Sequence, residues 1–361
     1  MCADILIPVY MNGTKLLWNF CFYCGIIRVI NKNWFERNCR AVCSQAAAKS
    51  LNIRKFQFAK SNTGGAKMKY NFKREDIDFY SEGTRCSAWL YLPETEKKCP
   101  VIVMAHGLGG TREMRLYEYA ERFAQAGYAC FLFDYRNYGA SDGNKRQLIN
   151  VKMQLHDWNT AIDFIKKDSR VDADKLLLFG SSFSGGHVTY LTAHRNDVKA
   201  TVAQCPYTDT MATIKEVGLL YILKRSPFVI ADVLSCITGY HPVMLKLSTY
   251  EGELAFMEAD EKTTNDFIEG ADYINKAPAR TLLEFLKYSP GKYFSKIDTP
   301  IFVAACSKDD LAPADRTIEL AKKAKNSTCK RYDCGHFQIY CNELFEEVIS
   351  DYINFYNRAI N

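Results

Sequence analysis

The chain has 361 residues, 48% hydrophobic and 24% charged, which is enough apolar material for a sizeable core and too much for a disordered, collagen-like or low-complexity polymer. Its net charge of +6 is unevenly spread: residues 1–67 carry ten Lys and Arg against two acids, Asp4 and Glu36, and the rest is close to neutral. A near-neutral body offers no concentrated basic face for nucleic acid, and no run of about 18 uncharged apolar residues provides a firm membrane span.

Residues 1–67 read as a basic N-terminal extension. The run LLWNFCFYCGIIRVI (16–30) is broken by Asn19 and Arg28, and an acid-poor stretch leads to Ser61-Asn62-Thr63-Gly64-Gly65. Such a leader is either an organellar targeting segment or a flexible extension without an address. Met68 directly precedes the first convincing strand. Cys21, Cys24, Cys39 and Cys43 approach zinc-site spacing. The first pair, however, sits among Phe20, Phe22 and Tyr23 rather than turn formers, so a zinc site is not expected. The chain has fourteen cysteines, several of them inside apolar runs (Cys130, Cys205, Cys306), as expected of reduced, buried thiols. A reducing compartment, the cytoplasm unless the leader directs otherwise, is the expected location.

From residue 68 onward, strands alternate with helices. REDIDFY (74–80) and RCSAWLYL (85–92) read as two early strands joined by the turn at 81–84. Short apolar runs follow at 100–106, 128–135, 175–180, 198–204 and 300–306, and CKRYD (329–333) reads as a last strand. Runs of this kind suit strands buried on both faces of a parallel sheet. Helical periods lie at 114–127, 153–167 and 343–360. The pattern predicts an α/β fold, with an eight-stranded, mostly parallel sheet covered on both faces. Residues 207–298 interrupt the alternation and read as a mostly helical cap over the sheet's C-terminal edge, where such folds place ligands.

The sharpest chemical signal is Phe179-Gly180-Ser181-Ser182-Phe183-Ser184-Gly185-Gly186, between a buried strand and a helix. A nucleophilic serine there must project from a strained turn, and small residues two places to either side permit it. Ser182 meets this best, because it directly follows the strand; Ser184 is the competitor. A hydrolytic serine also needs a base, an orienting acid and oxyanion donors. His336, after Gly335 and the last strand, is the candidate base. Asp309 is favoured as the acid over its neighbour Asp310, and Asp209 is a third candidate. The glycines of His106-Gly107-Leu108-Gly109-Gly110 allow backbone amides to approach a ligand, so the N–H groups of Leu108 and Phe183 are the candidate oxyanion donors. His106 reads as structural. The order Ser182, Asp309, His336 is that of α/β-hydrolases, and not of chymotrypsin-like or subtilisin-like enzymes.

On these residues, together with Phe133 to Gly143, Asp157-Trp158, Val171-Asp172 and Gly335-His336-Phe337, the stretch 74–360 resembles the α/β-hydrolases. It is similar to their dienelactone-hydrolase-like and Xaa-Pro-peptidase-like serine branch. The resemblance implies a triad of Ser182, Asp309 and His336, with Leu108 and Phe183 as oxyanion donors. Ser184 stands where glycine is usual, and Ser182 replaces the cysteine of true dienelactone hydrolases, which argues against that lactone chemistry. Asp134 and Arg136, in FDYRNYGASDG, are expected to form a buried ion pair and turn that brace the loop beside the oxyanion segment rather than to react.

The expected activity is cleavage of a carboxylic ester or thioester of a small-molecule substrate through an acyl-enzyme, with no cofactor or metal. Peptide cleavage or acyl transfer on the same triad is the alternative, and a non-catalytic binding protein is a more distant one. GLLYILKRSPFVIADVLSCI (218–237) is read as a lid over the pocket, with a membrane-resting surface as its rival.

Overall fold

The computed structural model describes residues 69–249, 254–258, 261–309 and 311–361, together with three strands of the leader. The chain divides into two compact units, Met1–Thr63 and Gly64–Asn361. In the first, β1 (Asp4–Met11), β2 (Thr14–Cys21) and β3 (Ile27–Val29) form an antiparallel sheet. The side chains of the four leader cysteines, and Asp310, lie outside the described residues.

The second unit is built on eight strands. These are β4 (Phe72–Ser81), β5 (Thr84–Pro93), β6 (Cys99–Ala105), β7 (Ala129–Phe133), β8 (Val171–Ser181), β9 (Val198–Gln204), β13 (Ile301–Cys306) and β14 (Ser327–Tyr332). Their order is β14-β13-β9-β8-β6-β7-β5-β4, antiparallel at the β4–β5 and β5–β7 pairs and parallel elsewhere. Every residue of β7 and β13 is buried, which accounts for their unbroken apolar sequences. One face of the sheet is covered by α2 (Val151–Ile165) and α3 (Phe183–Thr192), through residues such as Trp158, Ile162 and Val188. The other is covered by α1 (Leu116–Gln125) and the C-terminal helix Asn342–Ile360, through Tyr119, Phe123, Tyr352 and Tyr356. The chain leaves β6 for β7 on one side and returns to β8 on the other. That reversal opens a crevice at the C-terminal ends of β6 and β8, where doubly wound sheets bind ligands.

Between β9 and β13 the chain forms α4 (Thr210–Val217), α5 (Leu219–Thr238), α6 (Glu261–Ile268) and α7 (Thr281–Lys287). It also forms a small sheet, ordered β11-β10-β12, from β10 (Met244–Thr249), β11 (Ala255–Glu258) and β12 (Ala277–Pro278). The insertion is mostly helical, as expected, with the small sheet as an addition that the sequence did not signal. Leu245 and Leu247 of β10 face the core while Lys246 faces out, a period-two pattern too short to stand out in the sequence. No described helix is long and apolar enough to cross a membrane.

Candidate active site

Ser182 ends the turn between β8 and α3 with φ 56° and ψ −120°, a conformation that side-chain-bearing residues rarely adopt. The turn is held because its surroundings leave no alternative. Ser182 N–H donates to Gln204 O at 2.9 Å, and Ser182 O accepts from Tyr207 N–H at 3.0 Å. A Cβ on Gly180 would lie 2.3 Å from Ser184 O, and one on Gly186 would lie 2.6 Å from Tyr207 O. These glycines answer to close backbone approach, which is the physical content of the motif.

His336 Nε2 is 2.9 Å from Ser182 Oγ, and His336 Nδ1 is 2.6 Å from Asp309 Oδ2. The other carboxylate oxygen, Asp309 Oδ1, accepts the N–H groups of Leu311 and Ala312, each at 2.9 Å. Burial disfavours a charged imidazole at His336. The negative charge of Asp309, its hydrogen bond and the Cys205 sulfur outweigh that cost and hold the His336 pKa well above its ordinary value. Asp209 goes elsewhere: it caps α4 by accepting from Met211 and Ala212, and it pairs with Arg316 at 2.7 Å. Ser184 is fully buried and hydrogen-bonded to the Tyr135 hydroxyl, which accepts from Trp158 Nε1 at 2.7 Å. That partner accounts for a hydroxyl at a position where glycine is usual.

The loop after β6 passes directly over the serine. A Cβ on Gly107 would sit 2.7 Å from Ser182 Cβ, so only glycine allows this approach. Phe183 opens α3, and the first amides of a helix have no partner within it. His106 serves the loop: its Nδ1 accepts from Gly107 N–H and its Nε2 donates to Met114 O at 2.7 Å. Burial lowers its pKa to about 4, leaving it neutral. Asp134 and Arg136 do not pair with each other. Asp134 accepts Arg112 N–H at 2.8 Å and faces the Arg112 guanidinium, while Arg136 Nε donates to Asp157 at 2.6 Å. Both ion pairs are buried and brace the loops that follow β6 and β7.

Leu108, Ser182, Phe183, Tyr207, Phe285 and Leu311 line a cavity beneath the insertion. Among the described residues, no charged side chain borders it. Tyr221 and Ile222 of α5 form part of its roof, while Leu219, Leu220, Leu223, Leu234 and Ile237 of the same helix face outward and are exposed. Cys205 is buried, as the sequence reading expected, but that reading did not place it at the site. One donor atom from each of Cys205, Asp309 and His336 lies within 4.8 Å of the other two. Its only sequence signal was a position at the end of a sheet strand, which many buried cysteines share.

Residues 96–339 match the family described as serine aminopeptidase, S33. The chain belongs to this family of α/β-hydrolases. Within reach of it is the quorum-quenching protein AidA of Acinetobacter baumannii, 39% identical over 79% of this chain and 95% of the relative. The thiohydrolase aneE of Aspergillus aculeatus is 24% identical over 78% of this chain and 92% of its own length. Among solved structures, the α/β hydrolase GrgF of Penicillium sp. sh18 superposes with a TM-score of 0.68 at 21% identity, over 80% of this chain and 99% of its own. A family resemblance of this extent makes the chain a hydrolase by descent.

Proposed function

We propose that the protein hydrolyses a carboxylic ester or thioester of an apolar acyl group through an acyl-enzyme on Ser182. The observation that carries this reading is the continuous set of hydrogen bonds Asp309–His336–Ser182 opening onto an uncharged cavity. His336 Nε2 takes the proton of Ser182 as Oγ attacks the acyl carbonyl, and Asp309 steadies the resulting imidazolium. The N–H groups of Leu108 and Phe183 hold the oxyanion. His336 then returns its proton to the leaving oxygen or sulfur. Water, deprotonated by the same imidazole, attacks the acyl-enzyme and releases the acid and free Ser182.

The lining of the cavity supports an acyl chain over a peptide's amino terminus. A protonated amine would leave water for a wall without a described carboxylate, at a cost that only a partner could offset. The relative named as a thiohydrolase supports thioesters beside oxygen esters. Transfer of the acyl group to an alcohol or amine would use the same residues, and product identification with such an acceptor present separates it from hydrolysis. The test is labelling by a fluorophosphonate, with nitrophenyl esters of increasing chain length as substrates. Wild type and Ser184→Ala should label and Ser182→Ala should not; labelling that survives Ser182→Ala and disappears in Ser184→Ala sinks the assignment.

A further inference from the structure

The hydrolytic reading assigns no bond-making step to Cys205, the third of the groups clustered behind Ser182. Cys205 follows β9 directly, at φ 33°, with its N–H donating to Ala304 O at 2.8 Å. Its sulfur is buried, 3.7 Å from Ser181 Oγ, and close to both His336 and Asp309. Thiol, imidazole and carboxylate together form a donor set suited to zinc, and the sulfur favours thiophilic ions over magnesium or calcium.

We infer that Cys205, His336 and Asp309 form a binding site for a thiophilic divalent cation, Zn2+ or Cd2+, whose occupancy switches the triad off. The geometry is near what such an ion needs. Bonds of about 2.0–2.3 Å in a tetrahedron separate donors by roughly 3.3–3.7 Å, so the widest separation, within 4.8 Å, must close by about 1 Å. Asp309 Oδ2 and His336 Nδ1, hydrogen-bonded at 2.6 Å, must part by a similar amount as the ion replaces the shared proton. Asp309 also borders an open depression lined by Asp209, Lys215, Glu216, Asp315, Arg316 and Arg331, with its own carboxylate buried behind that surface.

Inhibition follows from the histidine having no nitrogen to spare. If the ion takes Nδ1, the bond to Asp309 that orients the ring is lost; if it takes Nε2, the group that accepts the serine's proton is blocked. Binding displaces the thiol proton and, from a protonated imidazole, the proton of the coordinating nitrogen to solvent, and it involves no electron transfer.

Inhibition rests on the proposed hydrolysis, whereas binding does not, so the test has two arms. In the first, ester hydrolysis and fluorophosphonate labelling of the full chain are titrated with ZnCl2, with MgCl2 as control. Zinc should inhibit wild type reversibly, magnesium should not, and a chelator should restore activity. Cys205→Ser and Cys205→Ala, which leave the hydrogen bonds of the triad intact, should each need at least 10-fold more zinc. In the second arm, Cd2+ is added to Ser182→Ala and to the Ser182→Ala, Cys205→Ser double variant, and thiolate-to-metal charge-transfer absorbance is read. The single variant should bind one more Cd2+ per chain than the double variant. Equal zinc sensitivity with and without Cys205, or equal Cd2+ stoichiometry, overturns the site. An inactive wild type that still shows the Cys205-dependent absorbance keeps the site and removes the hydrolytic reading.

Discussion

The floor and the roof of the cavity follow different rules. On the floor, five strand ends converge, nearly every polar side chain has a named partner, and the apolar residues are sealed between sheet and helices. The roof is thin. Helix α5 contributes Tyr221 and Ile222 to the cavity but leaves Leu219, Leu220, Leu223, Ile230, Leu234 and Ile237 exposed. The floor therefore tolerates almost no change in geometry, because each reacting group is fixed by two or more neighbours, and the roof has latitude. On the proposed function, chemistry falls where the structure is over-determined and substrate selection where it is not.

The largest effect that tests this contrast is Ser182→Ala, expected to lower turnover by about 10⁶-fold while leaving the fold intact by circular dichroism. Next is Asp309→Asn, expected to cost about 10⁴-fold in kcat. This variant also sharpens the electrostatic claim. Only neutral His336 can accept the serine's proton, and its pKa is held up, so kcat/KM should rise with pH with a midpoint above about 6.5. Removing the Asp309 charge should move that limb to lower pH; a limb that stays in place would show that some other group sets it. Gly107→Ala drives a methyl against Ser182 and displaces the oxyanion loop, with an expected loss of about 100- to 1,000-fold. On the roof, Phe285→Ala should cost about 10-fold in kcat/KM for octanoyl esters and little for acetyl esters. The smallest effect belongs to the outside of α5. Leu220→Ser should change unfolding free energy by less than about 0.5 kcal/mol, and a large destabilisation by urea titration would contradict the description of that face as exposed.

The floor was also the more legible half in the sequence. Fully buried strands such as PIFVAAC carry unbroken apolar runs, and the close contacts at Gly180 and Gly186 admit no side chain, so both leave marks in the residue types. The order Ser182, Asp309, His336 was readable because each follows a strand of one parallel sheet. What stayed hidden depends on distance through space. The strands β10, β11 and β12 are too short for their alternation to separate from a helical pattern, and only pairing with one another defines them. Cys205 looked like any buried thiol until folding set it beside His336. Arg112 and Asp157, which neutralise Asp134 and Arg136, lie 22 and 21 residues from them along the chain and could not be matched by spacing.

Leu311 joins the wall of the cavity to the alignment of the Asp309–His336–Ser182 hydrogen bonds. The residue lines the cavity, its amide holds the far oxygen of the Asp309 carboxylate, and its carbonyl accepts from Thr213 on α4, which lines the same cavity. A guest that fills the chamber presses on the same residue that aligns the proton relay, whereas a short guest leaves that residue untouched. Fit would then be sensed as reactivity: well-matched chains would gain in turnover and not merely in occupancy, making Leu311 a mechanical link between recognition and rate.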